Sequence, residues 1–368
     1  MLVQILFVND SKNVDQLRYI WRHLVKSNNY KLIYVDVQNL YDNIQNHDKS
    51  IYKEFGNKKI ISSFSGLSRY LSSFNRDSTI IISTGFPRKE SLKRFKLYNE
   101  LGLKWVKFQL SSYIGSRKNV FFLTIKNIIS TKLYELKYGK LSPSFSISTG
   151  NYSNIIQSWF GLRKTWSLHT LDYERYLENP ETNESRTLVY IDQNLFNHPD
   201  FKRFKISNDF DKSEYAAYLS TTLKSLSNCL NLDVQVALHP TSELIQYKEI
   251  FSDFEIHENK TIELIRNAKL VIGHYSTSFS YCVLFKKPIY VLLPPSGSKH
   301  IKKASITTMK NLNLKYCNEI LDSKSSINNF FFYDHRKYRE YVKDYLSIDE
   351  DQKNLGEKIE RYLDSLFI

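Results

Sequence analysis

The sequence predicts an α/β protein made of two Rossmann-like domains facing across a cleft. Short apolar, β-rich runs alternate with helical connections, the pattern of βαβ units on a parallel sheet. That pattern stops at a polar stretch near the middle of the chain and then restarts. Several of the runs end in polar clusters, as strands do where an open α/β sheet forms its ligand crevice. A chain of 368 residues also suits two domains, at about 150 residues each.

The elements follow in order. Leu2 to Val8 reads as the first strand, Val14 to Lys26 as a helical connection and Leu32 to Val37 as the second strand. Thr79 to Ile82 gives a third strand ending at Ser83-Thr84-Gly85, and Phe145 to Ile147 a further one ending at Ser148-Thr149-Gly150. Glu178 to Ser185 is polar, contains Pro180 and lacks periodicity, so it reads as a linker. Beyond it, Thr187 to Ile191 is a strand ending at Asp192-Gln193, Ser213 to Cys229 an amphipathic helix, and Val234 to Leu238 the next strand. Thr261 to Ala268 reads as a helix, Leu270 to Ile272 as a strand, Ser278 to Phe285 as a helix and Ile289 to Leu293 as a strand. The expected organisation is an N-terminal Rossmann-like domain over 1–177, a linker over 178–186 and a C-terminal Rossmann-like domain over 187–348. A last helix over 349–368 crosses back to the first domain.

Composition bounds the function. The hydrophobic share of 42% is that of a soluble globular chain, and no apolar run approaches the roughly 18 residues that cross a bilayer. The first ten residues lack the basic n-region and cleavage site of a signal peptide. Cys229, Cys282 and Cys317 fit free thiols in a reducing cytoplasm. Lys and Arg number 52 against 38 Asp and Glu, a net charge of +14. Such a surplus attracts nucleic acid, anionic lipid or phosphorylated substrates. No nucleic-acid-binding motif accompanies it, so the expected partners are a phosphorylated substrate and an anionic membrane surface, with no nucleic acid. Twenty-six Tyr and 23 Phe supply interfacial anchors as well as core. The expected location is the cytoplasm, with peripheral contact at the inner face of the membrane.

Two histidine motifs follow strands of the second half. V-Q-V-A-L-H-P-T-S-E places His239 and Pro240 at one strand end with Glu243 close behind, and L-V-I-G-H-Y-S-T-S places His274, Ser276, Thr277 and Ser278 at another. An imidazole titrates near neutrality, so His239 can donate to a phosphate or protonate a leaving oxygen; it can equally bond a backbone carbonyl. The hydroxyl cluster can cap the following helix or, with that helix's N–H groups, hold a phosphate. There is no H-E-x-x-H, C-x-x-C or strand-end D-x-D, so no obligatory metal is expected.

These residues carry a resemblance. H-P-T-S-E, K-T-I-E-L-I-R-N-A-K-L-V-I-G-H-Y-S-T-S-F-S-Y and F-K-K-P-I-Y resemble the C-terminal half of bacterial surface-polysaccharide glycosyltransferases of GT-B fold. They are most similar to the sialyltransferase-like group, which includes lipooligosaccharide sialyltransferases and polysialyltransferases. H-T-L-D-Y-E-R-Y-L and V-Y-I-D-Q-N-L-F-N-H-P-D-F resemble uncharacterised members of O-antigen and capsule clusters. The resemblance runs from about residue 165 to 292.

It implies a transferase that moves a nonulosonic, sialic-acid-like sugar from a CMP-activated donor to a surface-polysaccharide or lipooligosaccharide acceptor, lipid-linked or free. The reaction would be a metal-independent single displacement with no cofactor beyond the nucleotide-sugar substrate. The N-terminal domain would serve the acceptor and the C-terminal one the nucleotide-sugar. His239 would act as acid, with Pro240, Glu243, His274, Ser276, Thr277 and Ser278 about the donor. The group also carries an acidic pair followed by glycine, which supplies the base. Ser148-Thr149-Gly150 has no carboxylate at that place, so Asp192 is the first substitute, then Asp172 and Glu174; His198 and His274 could also serve. Asp192 could instead orient a loop, and Asp172 could cap a helix starting at Tyr173. The alternatives are a GT-B transferase using a UDP- or dTDP-hexose, or a non-catalytic member that binds glycan or nucleotide.

Overall fold

The computed structural model describes residues 3–9, 15–40, 55–84, 89–108, 143–151, 165–183, 185–195, 211–293, 299–317, 330–348 and 353–367, with a few single positions between them. These residues form two compact units. The first takes the described residues up to 108, from 129 to 174 and from 343 to 367, and the second those from 175 to 342.

The first unit is built on β1 (Val3–Asn9), α1 (Asp15–Ser27), β2 (Tyr30–Asp36), β3 (Lys58–Ile60), α2 (Phe64–Leu71), β4 (Thr79–Ser83), α3 (Lys89–Glu100) and β5 (Lys104–Lys107). The strands form one parallel sheet in the order β3-β2-β1-β4-β5. Central β1 is covered on both faces, which is why Ile5 to Val8 read as an unbroken apolar run. Alternate side chains serve opposite layers. Ile5 and Phe7 pack with Leu17, Ile20 and Leu24 of α1, and Leu6 and Val8 with Leu67, Leu71 and Trp105. The short strands β6 (Ser146–Ser148) and β7 (Thr165–Ser167) pair in parallel, and α4 (Leu171–Glu178) follows.

The C-terminal helix, Leu355–Phe367, belongs to this unit. Its Leu355, Ile359 and Leu363 enter the same core as α1. Its first turn is held by Glu174, whose Oε2 accepts from the Leu355 N–H at 2.9 Å and pairs with His169 Nε2 at 2.6 Å, a carboxylate placed where helix N–H groups lack partners. Gly356 lets the two helices approach, because a Cβ there would overlap the His23 side chain. Gly356→Ala is therefore expected to lower stability by about 1–3 kcal/mol, the range for overpacked sites, read as a lower urea midpoint.

The second unit contains β8 (Thr187–Ile191), α5 (Lys212–Leu230), β9 (Asp233–Ala237), α6 (Leu244–Ile250), β10 (Glu255–His257), α7 (Thr261–Asn267), β11 (Leu270–Gly273), α8 (Phe279–Leu284), β12 (Ile289–Val291), α9 (Lys299–Leu312), β13 (Lys315–Tyr316) and α10 (His335–Tyr341). Its parallel sheet runs β10-β9-β8-β11-β12-β13. The chain moves outward from β8 on one side, returns to the other at β11 and moves outward again. The topological switch point therefore lies between β8 and β11.

The expected strand Ile289 to Leu293 ends at Val291, and the last helix begins at Leu355. Glu178 closes α4, and the polar stretch after it belongs to the second unit. Gly85 and His198 lie outside the described residues. The three cysteines are free, with Cys282 and Cys317 buried. Among the described residues, no helix is long and apolar enough to cross a membrane.

Candidate functional site

The carboxyl ends of β9, β8 and β11 sit side by side, and one turn ties their loops together. That turn is Asp192-Gln193-Asn194, directly after β8. Asp192 is 4% exposed. Its Oδ1 accepts from the Asn194 N–H at 3.0 Å, and its Oδ2 from the His239 N–H at 3.2 Å and the Ser242 hydroxyl at 2.6 Å. Asn194 adopts a left-handed backbone with φ of 48°, a conformation Asn tolerates better than most residues. Its Nδ2 donates to the Thr241 carbonyl and hydroxyl at 3.0 and 2.9 Å, and its Oδ1 accepts from the Tyr247 hydroxyl at 3.1 Å. On the other side, Gln193 Oε1 accepts from the Tyr275 N–H at 3.0 Å. One three-residue turn thus fixes the His239 loop and the Ser276 loop on either side of β8. With one strand between them, their strands lie about 10 Å apart.

His239 is half-buried, and its ring orientation is set locally. Nδ1 receives the Thr241 N–H at 3.2 Å and faces the Thr241 hydroxyl at 2.8 Å. An N–H aimed at Nδ1 makes that nitrogen an acceptor, so the neutral ring carries its proton on Nε2. Pro240 and Glu243 are exposed on the same loop, with Glu243 at the cap position of α6 but making no capping bond.

The Ser276-Thr277-Ser278 turn differs from the expected helix-end cradle. The α8 helix is six residues long, and the N–H groups of Phe279, Ser280 and Tyr281 bond the carbonyls of Ser276, Thr277 and Ser278. The Ser278 N–H is taken by Ser276 Oγ at 3.1 Å. What remains for a ligand is local: the N–H groups of Ser276 and Thr277 and the hydroxyls of Thr277 and Ser278 have no hydrogen-bond partner among the described residues. None of the three loops contains Lys or Arg in 192–195, 239–243 or 274–278. The basic surplus of the chain is therefore not concentrated on them.

Two nominated residues have other work. His274 is turned inward and fully buried. Its Nδ1 pairs with the Leu292 carbonyl at 2.7 Å, and its Nε2 with the Tyr215 hydroxyl and, at 3.4 Å, the Tyr190 hydroxyl. Both ring nitrogens are engaged, so His274 braces the core beneath the loop instead of lining the crevice. Burial lowers its pKa to about 4, against a smaller opposing effect of the Leu292 carbonyl. A histidine buried neutral stabilises the fold fully above the unfolded pKa near 6.5, and that stability is lost as pH falls through about 4. Wild type is expected to lose about 3 kcal/mol more than His274→Leu between pH 7 and pH 4, read as the difference in urea midpoints.

Asp192 is likewise enclosed. Burial raises its pKa, opposed by the hydrogen bonds it accepts from Ser242, His239, Asn194 and Gln193. These bonds hold the His239 loop to the turn after β8. Asp172 sits in the first turn of α4, in the other unit. The cap there is Thr170, whose hydroxyl accepts from the Tyr173 N–H at 3.4 Å, and Glu174 is committed to the C-terminal helix as described. Gln193 and Asn194 were not singled out from the sequence. The available signal was a D-Q-N triplet directly after a buried strand, with Asp and Asn both prone to bond nearby backbone. Among the described residues, no cluster of three or more His, Cys, Asp or Glu could hold a metal ion.

No family model and no curated protein matches the chain. Solved structures do. UGT2 from Phytolacca americana is 9% identical, covers 99% of this chain and 99% of its own, and superposes with a TM-score of 0.57. A UDP-glucosyltransferase from Polygonum tinctorium capable of glucosylating indoxyl is 9% identical, with 99% and 98% covered and a TM-score of 0.52. A Listeria monocytogenes protein described as a UDP-N-acetylglucosamine 2-epimerase is 8% identical, with 99% and 95% covered and a TM-score of 0.51. At these identities the likeness is one of fold, and the chain has the two-unit α/β fold of the GT-B class.

Proposed function

We propose that this chain is a glycosyltransferase whose second unit binds a nucleotide-activated sugar, with a UDP-hexose as donor. The observation that carries the reading is the convergence of the β9, β8 and β11 loops on the switch point of that unit, where sheets of this kind bind ligands. The fold is shared with a UDP-glucosyltransferase and with a protein described as acting on a UDP-sugar, which favours UDP over CMP. Fold alone does not fix a reaction; the geometry of the loops carries the assignment.

In the proposed step, an acceptor hydroxyl attacks the anomeric carbon and the bond from that carbon to the donor phosphate oxygen breaks. The N–H groups of Ser276 and Thr277, with the hydroxyls of Thr277 and Ser278, bind the phosphate and stabilise the charge it gains. Proton donation from His239 Nε2 to the departing phosphate oxygen neutralises part of that charge. A carboxylate takes the acceptor's proton. No metal enters the step. The acceptor is a surface glycan, lipid-linked or free.

A CMP-activated nonulosonic acid is the second reading. It is favoured by the placement of the His239-Pro240 and Ser276-Thr277-Ser278 motifs on loops tied to one turn. Thermal stability with UDP, dTDP, CMP and GDP in the presence of EDTA separates the two. A nucleotide that binds only the folded protein adds about 2.7 kcal/mol at 100 times its dissociation constant. Stabilisation by UDP is expected. Selective stabilisation by CMP would transfer the reading to the nonulosonate donor, and no response to any nucleotide would overturn both.

A further inference from the structure

The second unit has a pocket that the proposed chemistry does not use. It occupies about 300 Å³ and is bordered by Ile289 and Lys315, the first residues of β12 and β13. Because all strands of this sheet are parallel, the pocket opens at their amino ends, opposite the end that carries His239 and Ser276. It is a separate site on the same sheet.

Its lining combines aromatic faces with uncommitted polar groups. Tyr333 stacks on Tyr338 with ring centroids 4.9 Å apart, and Phe332 beside them is 70% exposed. An aromatic ring left this open next to a concavity offers a face to a ligand. Three polar side chains share the pocket with these rings. The Tyr333 hydroxyl, Lys315 Nζ and Asn313 Oδ1 have no hydrogen-bond partner among the described residues. Asp334 is held in place by the Asn313 amide at 3.0 Å and the Lys337 N–H at 3.0 Å. These bonds and its neighbours keep its carboxyl below the usual range and hence ionised. A carboxylate has about four acceptor sites, so Asp334 retains capacity for a donor from a ligand.

We propose that this pocket binds a pyranose unit of a glycan, as an accessory site remote from the transfer crevice. A pyranose presents an apolar C–H face that packs on Phe332 or Tyr333. It also presents several hydroxyls that donate to Asp334 and Asn313 and accept from Lys315 and Tyr333. Few polar groups placed about an apolar wall are the usual makeup of a small-ligand site, and the volume lies at the lower end of such sites. A nucleotide fits less well, since its phosphates would meet the Asp334 carboxylate. Such a site would hold a sugar of a long acceptor away from the reacting end and so raise the local concentration of acceptor.

The test is saturation-transfer NMR on the full chain with methyl pyranosides of glucose, galactose and N-acetylglucosamine and their β-linked disaccharides. At least one sugar is expected to receive saturation. Phe332→Ala, a change at an exposed position, should weaken its binding about tenfold, while His239→Ala leaves it unchanged. Asn313→Ala supplies an independent polar variant with the same expected direction. Three results would overturn the proposal: no transfer to any sugar, transfer unaffected by both pocket variants, or displacement of the sugar by UDP. The last would place the sugar in the crevice. The nucleotide thermal shifts described above are read separately, so failure of this site and failure of the transferase reading are distinguishable.

Discussion

Replacing His239 by alanine is expected to reduce sugar transfer by about 10²- to 10⁴-fold, the range for loss of a positioned proton donor, with little change in stability. The side chain is half-buried, and its ring bonds Thr241 of its own loop. Its backbone N–H, which Asp192 anchors, survives the substitution. Nucleotide binding should weaken much less than turnover, because the phosphate contacts assigned to Ser276 to Ser278 remain. The contrast is measurable as a fall in kcat with a smaller change in the donor's KM. Equal turnover in the variant would remove His239 from the mechanism.

Asp192→Ala should act through the fold instead. It strips the acceptor from the N–H groups of His239 and Asn194 and from the Ser242 hydroxyl at once. Each buried donor left without a partner costs about 1–3 kcal/mol, partly offset because burying the carboxylate is itself unfavourable. A net loss of about 3 kcal/mol is expected in urea unfolding, together with loss of nucleotide-induced stabilisation. Asp192→Asn keeps one acceptor oxygen and should cost less in stability. It still places an NH₂ group against at least one donor, so the His239 loop is released and nucleotide binding weakens. An Asp192→Asn protein with unaltered binding would show that the clasp does not position the site.

The parts of this molecule legible in its sequence were those governed by local pattern. Strands buried on both faces, such as Ile5 to Val8 and Leu188 to Ile191, stand out as apolar runs, and the polar residues that follow mark the end of the sheet where ligands bind. Edge strands are harder to see. β3 is Lys-Lys-Ile and exposed at all three residues, and β13 is two residues long, so neither carries a hydrophobic period. The role of His274 was hidden for a different reason. Its partners Tyr190 and Tyr215 lie 84 and 59 residues away in the chain, and a buried imidazole network is a property of packing that no strand-end motif reveals. Asp192 was visible as a residue at a strand end, but its contacts with His239 and Ser242, on the loop after the neighbouring strand, were not. The α8 cradle illustrates the same limit. Three hydroxyl residues before a helix suggest an anion site, yet a six-residue helix that begins with tight backbone turns spends its own N–H groups.

Hydrogen exchange with and without saturating UDP tests the central claim most directly, because it locates the nucleotide along the chain. The account predicts slowed exchange over three stretches together, residues 192–195, 238–243 and 274–279, with the pocket at 313–315 and 332–338 unaffected. Protection confined to other segments of the second unit, or absent from all three loops while UDP is bound, would contradict the assignment of the site to the β8, β9 and β11 ends.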